Sequence, residues 1–306
     1  MMNITRLLAL HQLQLRKTMS AAAEALHLTP SAISQQISML EEELGIDLIE
    51  RRGRGVELTA PGQEMVKHAE RIFEELQMAQ ANMDSLKKTV AGKLTVSSFP
   101  SAGTALIPAT VKSLKAAHPQ LAVYFRELEP EEAVTALRAW EIDVALVDDV
   151  IVPSALLDSN LEILSLLTDY FVMMLPESHP LAAQKKVSVE ALRNEDWVID
   201  AWAANYYTNV VIGECQKFGY VPNIVALCKD FNMASAFVKT GCAVFMVSGI
   251  RRLSHVEGVV FRPICPELKR EIFIAFRKTE RISPAVQAYI KHIRNRVKNL
   301  ESELSF

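Results

Sequence analysis

Ser31, Ser34, Gln35 and Ser38 fall on one side of a helical run, Ser31 to Leu44, whose other side is Ile33, Ile37, Leu40 and Leu44. Those apolar positions recur at i, i+4, i+7 and i+11, the period of a helix packed on one face. The outward side chains are short hydroxyls and amides without charge, with Gln36 to one side. A face needed only for solubility would carry charge. Uncharged amides and hydroxyls suit base edges instead, because Gln pairs bidentately with adenine and Ser donates or accepts. The acidic run Glu41-Glu42-Glu43 at the far end would repel phosphate, so only the N-terminal end can approach a nucleic acid.

Such a face needs elements to aim it. Ile4, Leu7, Leu8 and His11 to Leu15 make a first helix, and Ser20 is placed to cap a second, the alanine-rich Ala21 to Leu26. A turn, His27-Leu28-Thr29, follows; Thr29 and Pro30 then supply a capping hydroxyl and a first-turn proline for the third helix, which stops at Gly45. Helix, short turn and helix, with the last entering the major groove N-terminus first, is helix-turn-helix geometry. Two short β runs flank Arg52-Gly53-Arg54-Gly55 and read as a hairpin. Residues 1–60 carry six Lys+Arg against seven Asp+Glu, and three of the six (Arg51, Arg52, Arg54) sit at this hairpin. The net charge of −3 gives no hint of nucleic acid, so the case rests on local placement. Beside a recognition helix the hairpin becomes a wing whose arginines reach phosphates or a narrow minor groove.

Residues 61–90 run without Gly or Pro after Gly62. Met65, Ala69, Ile72, Leu76, Ala79, Met83, Leu86 and Val90 alternate at spacings of four and three, a heptad seam that prefers another helix as its partner. At ~1.5 Å per residue that span is ~39 Å long, more than one small domain covers. The expectation is a dimerising linker helix, with Pro61 in its first turn.

Beyond Gly92 apolar and β-branched runs alternate with helical segments, which argues a parallel or mixed α/β sheet. Such sheets bind ligands beyond the strand C-termini. Candidate crevice residues are therefore Ser98, Phe99, Pro100 and Ser101 after the first strand, Asp148 after the third, Trp202 after Asp200, and Phe231 and Asn232 at the start of a helix. Serines in such places often only cap a helix. Asp148 as an acidic wall would disfavour a carboxylate ligand and favour an amino-bearing or polyhydroxy one.

The remaining composition narrows the class. At 306 residues the chain has room for about two domains, and 50% hydrophobic with 23% charged is ordinary globular content. No apolar run, Tyr170 to Leu175 included, exceeds six residues, far below the ~20 of a spanning helix. No secretory signal is visible at the start, and the expected compartment is the cytoplasm. Cys215, Cys228, Cys242 and Cys265 lack Cys-x-x-Cys spacing and read as buried reduced thiols. The seven histidines are scattered, so no metal site is expected. Gly-x-Ser-x-Gly, a phosphate-binding glycine loop and His-Glu-x-x-His are all missing from the sequence, which weakens the rival reading of an α/β enzyme. A solute-binding module would not need residues 1–90, and a purely architectural DNA protein would not need the large α/β portion. The basic residues of the final helix, Ser283 to Asn299, read as a solvated face.

In order and spacing, Ala22-Ala23-Glu24-Ala25-Leu26, Thr29-Pro30-Ser31-Ala32-Ile33-Ser34-Gln35-Gln36-Ile37 and Leu40-Glu41-Glu42-Glu43-Leu44-Gly45 resemble the N-terminal signature of the LysR-type transcriptional regulators. Leu48-Ile49-Glu50-Arg51, Arg54 and Leu58-Thr59-Ala60-Pro61-Gly62 continue the match; Ile49 stands where the family usually has phenylalanine, and Pro61 where it has alanine. The resemblance spans the whole chain. It implies a winged helix-turn-helix over 1–60, a linker helix over 61–90 and a two-lobed, periplasmic-binding-protein-like α/β effector domain over 91–306. By the same analogy one lobe comprises 92–165 plus 269–306 and the other 166–268. Carried over residue by residue, Ser31, Ser34, Gln35, Arg51 and Arg54 face DNA, and the helical period adds Gln36. The implied protein is no enzyme and has no cofactor beyond a small-molecule effector of unstated identity. Its implied partners are a roughly palindromic double-stranded DNA site, further copies of itself as a dimer and then a tetramer, and RNA polymerase as a further candidate.

Overall fold

The computed structural model describes residues 2–53, 55–86, 90–150, 160–201, 206–279 and 282–304. They form two compact units, the first comprising Met1–Lys88 with the short pieces Arg138–Glu141 and Thr279–Pro284, the second the remainder.

In the first unit α1 (Ile4–Arg16), α2 (Met19–Ala25) and α3 (Pro30–Leu44) precede a hairpin of β1 (Ile49–Arg52) and β2 (Gly55–Leu58), then α4 (Ala60–Leu86). The three short helices close on one core: Leu7, Leu10 and Leu13, then Ala22 and Ala23, then Ile33, Ile37 and Leu40. Small alanines on α2 let its neighbours approach closely. Leu44, expected on the same apolar face, is 38% exposed, because the helix end has run past the core. Thr18, rather than Ser20, caps α2: its hydroxyl accepts from Ala21 N at 3.1 Å and starts the helix two residues early. Thr29 caps α3 through Ala32 N at 3.2 Å, and Gly45 closes it at φ +69°, a conformation glycine adopts without strain.

Glu41 is turned inward to the wing. Its carboxylate accepts from Leu48 N at 2.8 Å and Ile49 N at 3.1 Å, so one member of the acidic run fixes where the hairpin leaves the helix. Thr59 then joins wing to long helix, accepting from Gly62 N at 3.1 Å and donating to Asp47 O at 2.8 Å. Pro61 is thus the second residue of α4, still within the turn whose N–H groups need no helical partner. A Cβ on Gly62 would stand 2.0 Å from Leu48 O and 3.2 Å from a Leu58 methyl, so only glycine permits this approach.

Along α4 the burial is divided. Val66, Ala69 and Phe73 join the core of their own unit, while Leu76, Met83 and Leu86 of the heptad seam are 47%, 56% and 76% exposed. Val90 lies past the end of the helix at Leu86.

The second unit is a mixed α/β structure on one sheet of order β4-β3-β5-β12-β6-β10-β8-β9. Its elements are β3 (Gly92–Ser98), α5 (Pro100–Ala117), β4 (Leu121–Glu127), α6 (Pro130–Arg138), β5 (Val144–Asp148), β6 (Leu161–Pro176), β7 (Val187–Ser188), β8 (Asp196–Asp200), α7 (Tyr206–Lys217), β9 (Asn223–Cys228), α8 (Phe231–Lys239), β10 (Val244–Ser248), β11 (Val259–Cys265), β12 (Lys269–Arg277) and α9 (Pro284–Leu304). Strands β4, β3 and β5 are mutually parallel, as are β10, β8 and β9. The antiparallel pair β6 and β12 joins these halves. β6 is 16 residues long and changes partners midway: Leu161 to Tyr170 lies against β12, then Phe171 to Met174 against β10. Helices α6 and α8 cover different halves, with Ala133, Val134 and Leu137 in one core and Ala234 and Val238 in another.

Two of the cysteines, Cys215 and Cys228, are buried, whereas Cys242 and Cys265 are exposed, correcting the expectation for that pair. No group of three or more His, Cys, Asp or Glu able to hold a metal occurs among the described residues. No described helix is long and apolar enough to cross a membrane.

Candidate functional site

Two polar constellations stand out, one in each unit. On α3 the cap at Thr29 fixes the first turn, and Ser31, Ser34 and Gln35 are exposed while Gln36 is half-buried. The Ser31 hydroxyl lies 2.9 Å from that of Thr29. Arg51 is exposed on β1, and Arg54 lies outside the described residues. The neighbouring Arg52 is engaged with Glu57 at 2.7 Å across the hairpin, a solvent-screened pair that contributes little to stability.

The second constellation is a cleft in the α/β unit, formed where strand ends meet helix starts. Phe99, Pro100 and Ser101, at the β3–α5 junction, share it with Phe231 at the start of α8. Val198, Ile199 and Asp200 from β8 and Phe245 to Ser248 from β10 line it too. Of the other expected residues, Ser98 is fully buried and its hydroxyl donates to Phe99 O at 3.1 Å, outside the lining. Asn232 is exposed in the first turn of α8 and is also not part of the lining. Trp202 falls outside the described residues.

Ser101 does not cap α5. That helix starts from Phe99 without a side-chain cap, and the Ser101 hydroxyl accepts from Arg270 Nη2 at 2.9 Å. Arg270 is the centre of the cleft floor. Across the β6–β12 ladder it stands opposite Asp169, and its Nε and Nη2 donate to Asp169 Oδ2 at 3.0 and 2.9 Å. Nη1 donates to Asp148 Oδ2 at 3.1 Å and to the Tyr207 hydroxyl, which itself donates to Asp148 at 2.8 Å. The expectation of an acidic wall at Asp148 is therefore corrected: its carboxylate is 1% exposed and spent on Arg270 and Tyr207. Phe99 lies against one face of the guanidinium, 4.9 Å from ring centroid to Cζ. Burial keeps the Tyr207 phenol protonated by raising its pKa well above the ordinary value. Burial works against the Arg270 cation, and the groups around it, Tyr207, Asp169 and Asp148, more than offset that.

Three further charged groups line the cleft: Glu129, Asp200 and Arg251. Burial first, then Asp200 and Asp148, push the Glu129 carboxyl up to about 7. Burial lowers the Arg251 pKa, and Asp200 partly restores it. The Arg251 guanidinium stacks on the Phe231 ring at 4.6 Å.

Arg270, Asp169, Tyr207, Glu129 and Arg251 escape a reading based on strand ends alone. One signal was present in the sequence. Arg270, Ile272 and Ile274 alternate in β12, which puts an arginine in phase with two core isoleucines. A buried arginine must be paired, so that phase implies acidic neighbours.

A winged helix-turn-helix together with a cleft-bearing α/β unit defines the class of DNA-binding transcriptional regulators that carry an effector-binding domain. Residues 4–63 match the model of bacterial regulatory helix-turn-helix proteins of the lysR family, and residues 87–298 match the LysR substrate binding domain. The chain belongs to the LysR family of transcriptional regulators, a family of regulators and not of enzymes. It is 28% identical to the HTH-type transcriptional regulator AlsR of Bacillus subtilis over 282 residues, covering 90% of this chain and 89% of that one. To the transcriptional dual regulator GltC of the same organism it is 26% identical, with 86% and 87% covered. Its fold is that of a full-length OxyR from Pseudomonas aeruginosa (TM-score 0.68, 22% identity, 97% and 95% covered). It is also that of full-length CbnR in complex with its target DNA (TM-score 0.57, 23% identity, 96% and 100% covered).

Proposed function

We propose that this regulator reads its operator through Ser31, Ser34 and Gln35, with Gln36 at the margin, while Arg51 and Arg54 of the wing hold the phosphate backbone or minor groove. The observation that carries this reading is the row of exposed, uncharged side chains in the first turns of α3, on a helix fixed at its start by the Thr29 cap. Residues 1–60 form the DNA-reading part, 61–90 the dimerising linker and 91–306 the effector-binding part, whose lobes meet in the β6–β12 region.

Paired linker helices would cover the exposed Leu76, Met83 and Leu86, since a seam this apolar is costly in water. Two reading heads at fixed spacing then require a roughly palindromic site, and contacts between effector-binding parts join dimers into a tetramer. A small molecule bound in the cleft, against Phe99, Pro100, Ser101 and Phe231, closes the lobes and shifts the balance between two arrangements that bend DNA differently. RNA polymerase is the partner that would read this change, and the cytoplasm is the compartment where these partners meet.

Footprinting of the full chain on the DNA upstream of its own gene tests the whole reading. The expected result is a protected palindrome whose length or bend changes with a bound small molecule. An unchanged footprint and bend with every small molecule that measurably binds would overturn the coupling.

A further inference from the structure

The two guanidiniums of the cleft are in opposite conditions. Arg270 has five N–H donors, and all five are used, by Asp169 twice and by Asp148, Tyr207 and Ser101 once each. Nothing remains to greet a ligand. Arg251 forms no hydrogen bond and no ion pair with another described residue; its contact is the face of Phe231, which leaves the N–H edge unused. Three residues earlier on the same cleft wall, the Ser248 hydroxyl is buried and has no partner. A half-buried cation and an unsatisfied hydroxyl lining one cleft are a costly arrangement until an anionic group arrives.

An anion alone would nevertheless meet the wrong field. Asp200 and Glu129 line the same cleft, and Asp148 and Asp169 lie beneath it with a single buried arginine between them. The Glu129 carboxylate has no side-chain partner among the described residues, and it is crowded by Asp200. One positive group on the ligand, beside Glu129 and Asp200, relieves that crowding, while one negative group satisfies Arg251 and Ser248. The rest of the wall is apolar: Val198, Val210, Val211, Phe245 and Met246.

We propose that the effector is a zwitterion with an apolar body, in chemical class an apolar α-amino acid, its carboxylate on Arg251 and its ammonium beside Glu129 and Asp200. This rests on the reading of the cleft as the effector site. Recognition through both charges makes loss of either one expensive, because the matching group in the cleft is then desolvated without a partner.

The test uses the full-length protein and two side-chain-matched trios in calorimetry and thermal-shift titrations. One is phenylalanine, 3-phenylpropanoate and 2-phenylethylamine; the other is leucine, 4-methylpentanoate and 3-methylbutylamine. At least one of the two amino acids should bind, and at least tenfold more tightly than its own acid or amine. Arg251→Gln should erase the preference over the amine, and Glu129→Gln the preference over the acid, with both variants folded by circular dichroism. If an acid or amine binds as tightly as its amino acid, or if neither amino acid binds, the zwitterion assignment is overturned. The cleft reading is separable. A ligand of any charge whose binding weakens in Phe231→Ala keeps the cleft as the site, whereas amino-acid binding unaffected by Arg251→Gln, Glu129→Gln and Phe231→Ala overturns both.

Discussion

On α3, Ser31, Ser34 and Gln35 stand in water within two turns of one helix, and each could be exchanged without disturbing the others. At the cleft floor, Ser101, Asp148, Asp169, Tyr207 and Arg270 come from five different elements and are held by one another, with Arg270 and Asp148 each 1% exposed. Both regions are polar, but their polarity has different consequences. Exposed side chains on a rigid helix contribute to recognition and almost nothing to folding, whereas buried charges determine whether the unit folds before they can serve any ligand.

The sharpest way to break this contrast is Arg270→Met. Two buried carboxylates would lose their cation, at a cost of about 3–5 kcal/mol, lowering the thermal midpoint of the α/β unit by roughly 10 °C. A midpoint unchanged in calorimetry would mean that the floor is not the stabilising network its geometry describes. Gln35→Ala is the converse case. Stability should stay within about 0.5 kcal/mol of the parent, while discrimination between the operator and a scrambled duplex falls by about 1–3 kcal/mol in fluorescence anisotropy. Glu129 sharpens the comparison through pH. Its carboxyl titrates near 7 in the folded protein and near 4.5 otherwise, so the folded state holds the proton more tightly and stability falls as pH rises between those values. Glu129→Gln should therefore gain on the parent from pH 5 to pH 8, by on the order of 1 kcal/mol after allowing for solvent screening, read from paired unfolding curves. The smallest effect is expected from Arg54→Ala: weaker binding to every sequence alike, and a salt dependence shallower by about one unit of slope.

The same division explains what is legible in the sequence and what is not. Helix-turn-helix and wing were legible because their signals are local: Thr29 and Pro30 start α3, Gly45 stops it, and Ile33, Ile37 and Leu40 repeat at helical spacing. The parallel strands were legible as apolar and β-branched runs alternating with helical segments beyond Gly92. The first half of β6 was not, since Glu162, Ser165, Thr168 and Asp169 interrupt it and the apolar run begins only at Tyr170. Nor was the cleft chemistry. Asp148 is next to a strand end in sequence, but whether its charge faces a ligand depends on Arg270, 122 residues away, and on Tyr207, 59 away. Thr18 outcompeting Ser20 as the cap of α2 is a smaller failure of the same kind, because both hydroxyls suit the role and the helix starts at Met19, before Ser20.

Gly62 has a consequence for signalling. With Leu48 O where its side chain would be, and with Thr59 bonded on both sides of the junction, the hairpin has no slack against the start of α4. A side chain at position 62 would therefore force the β1–β2 hairpin away from the start of α4, and a twist of that helix would act on the hairpin through this one close contact.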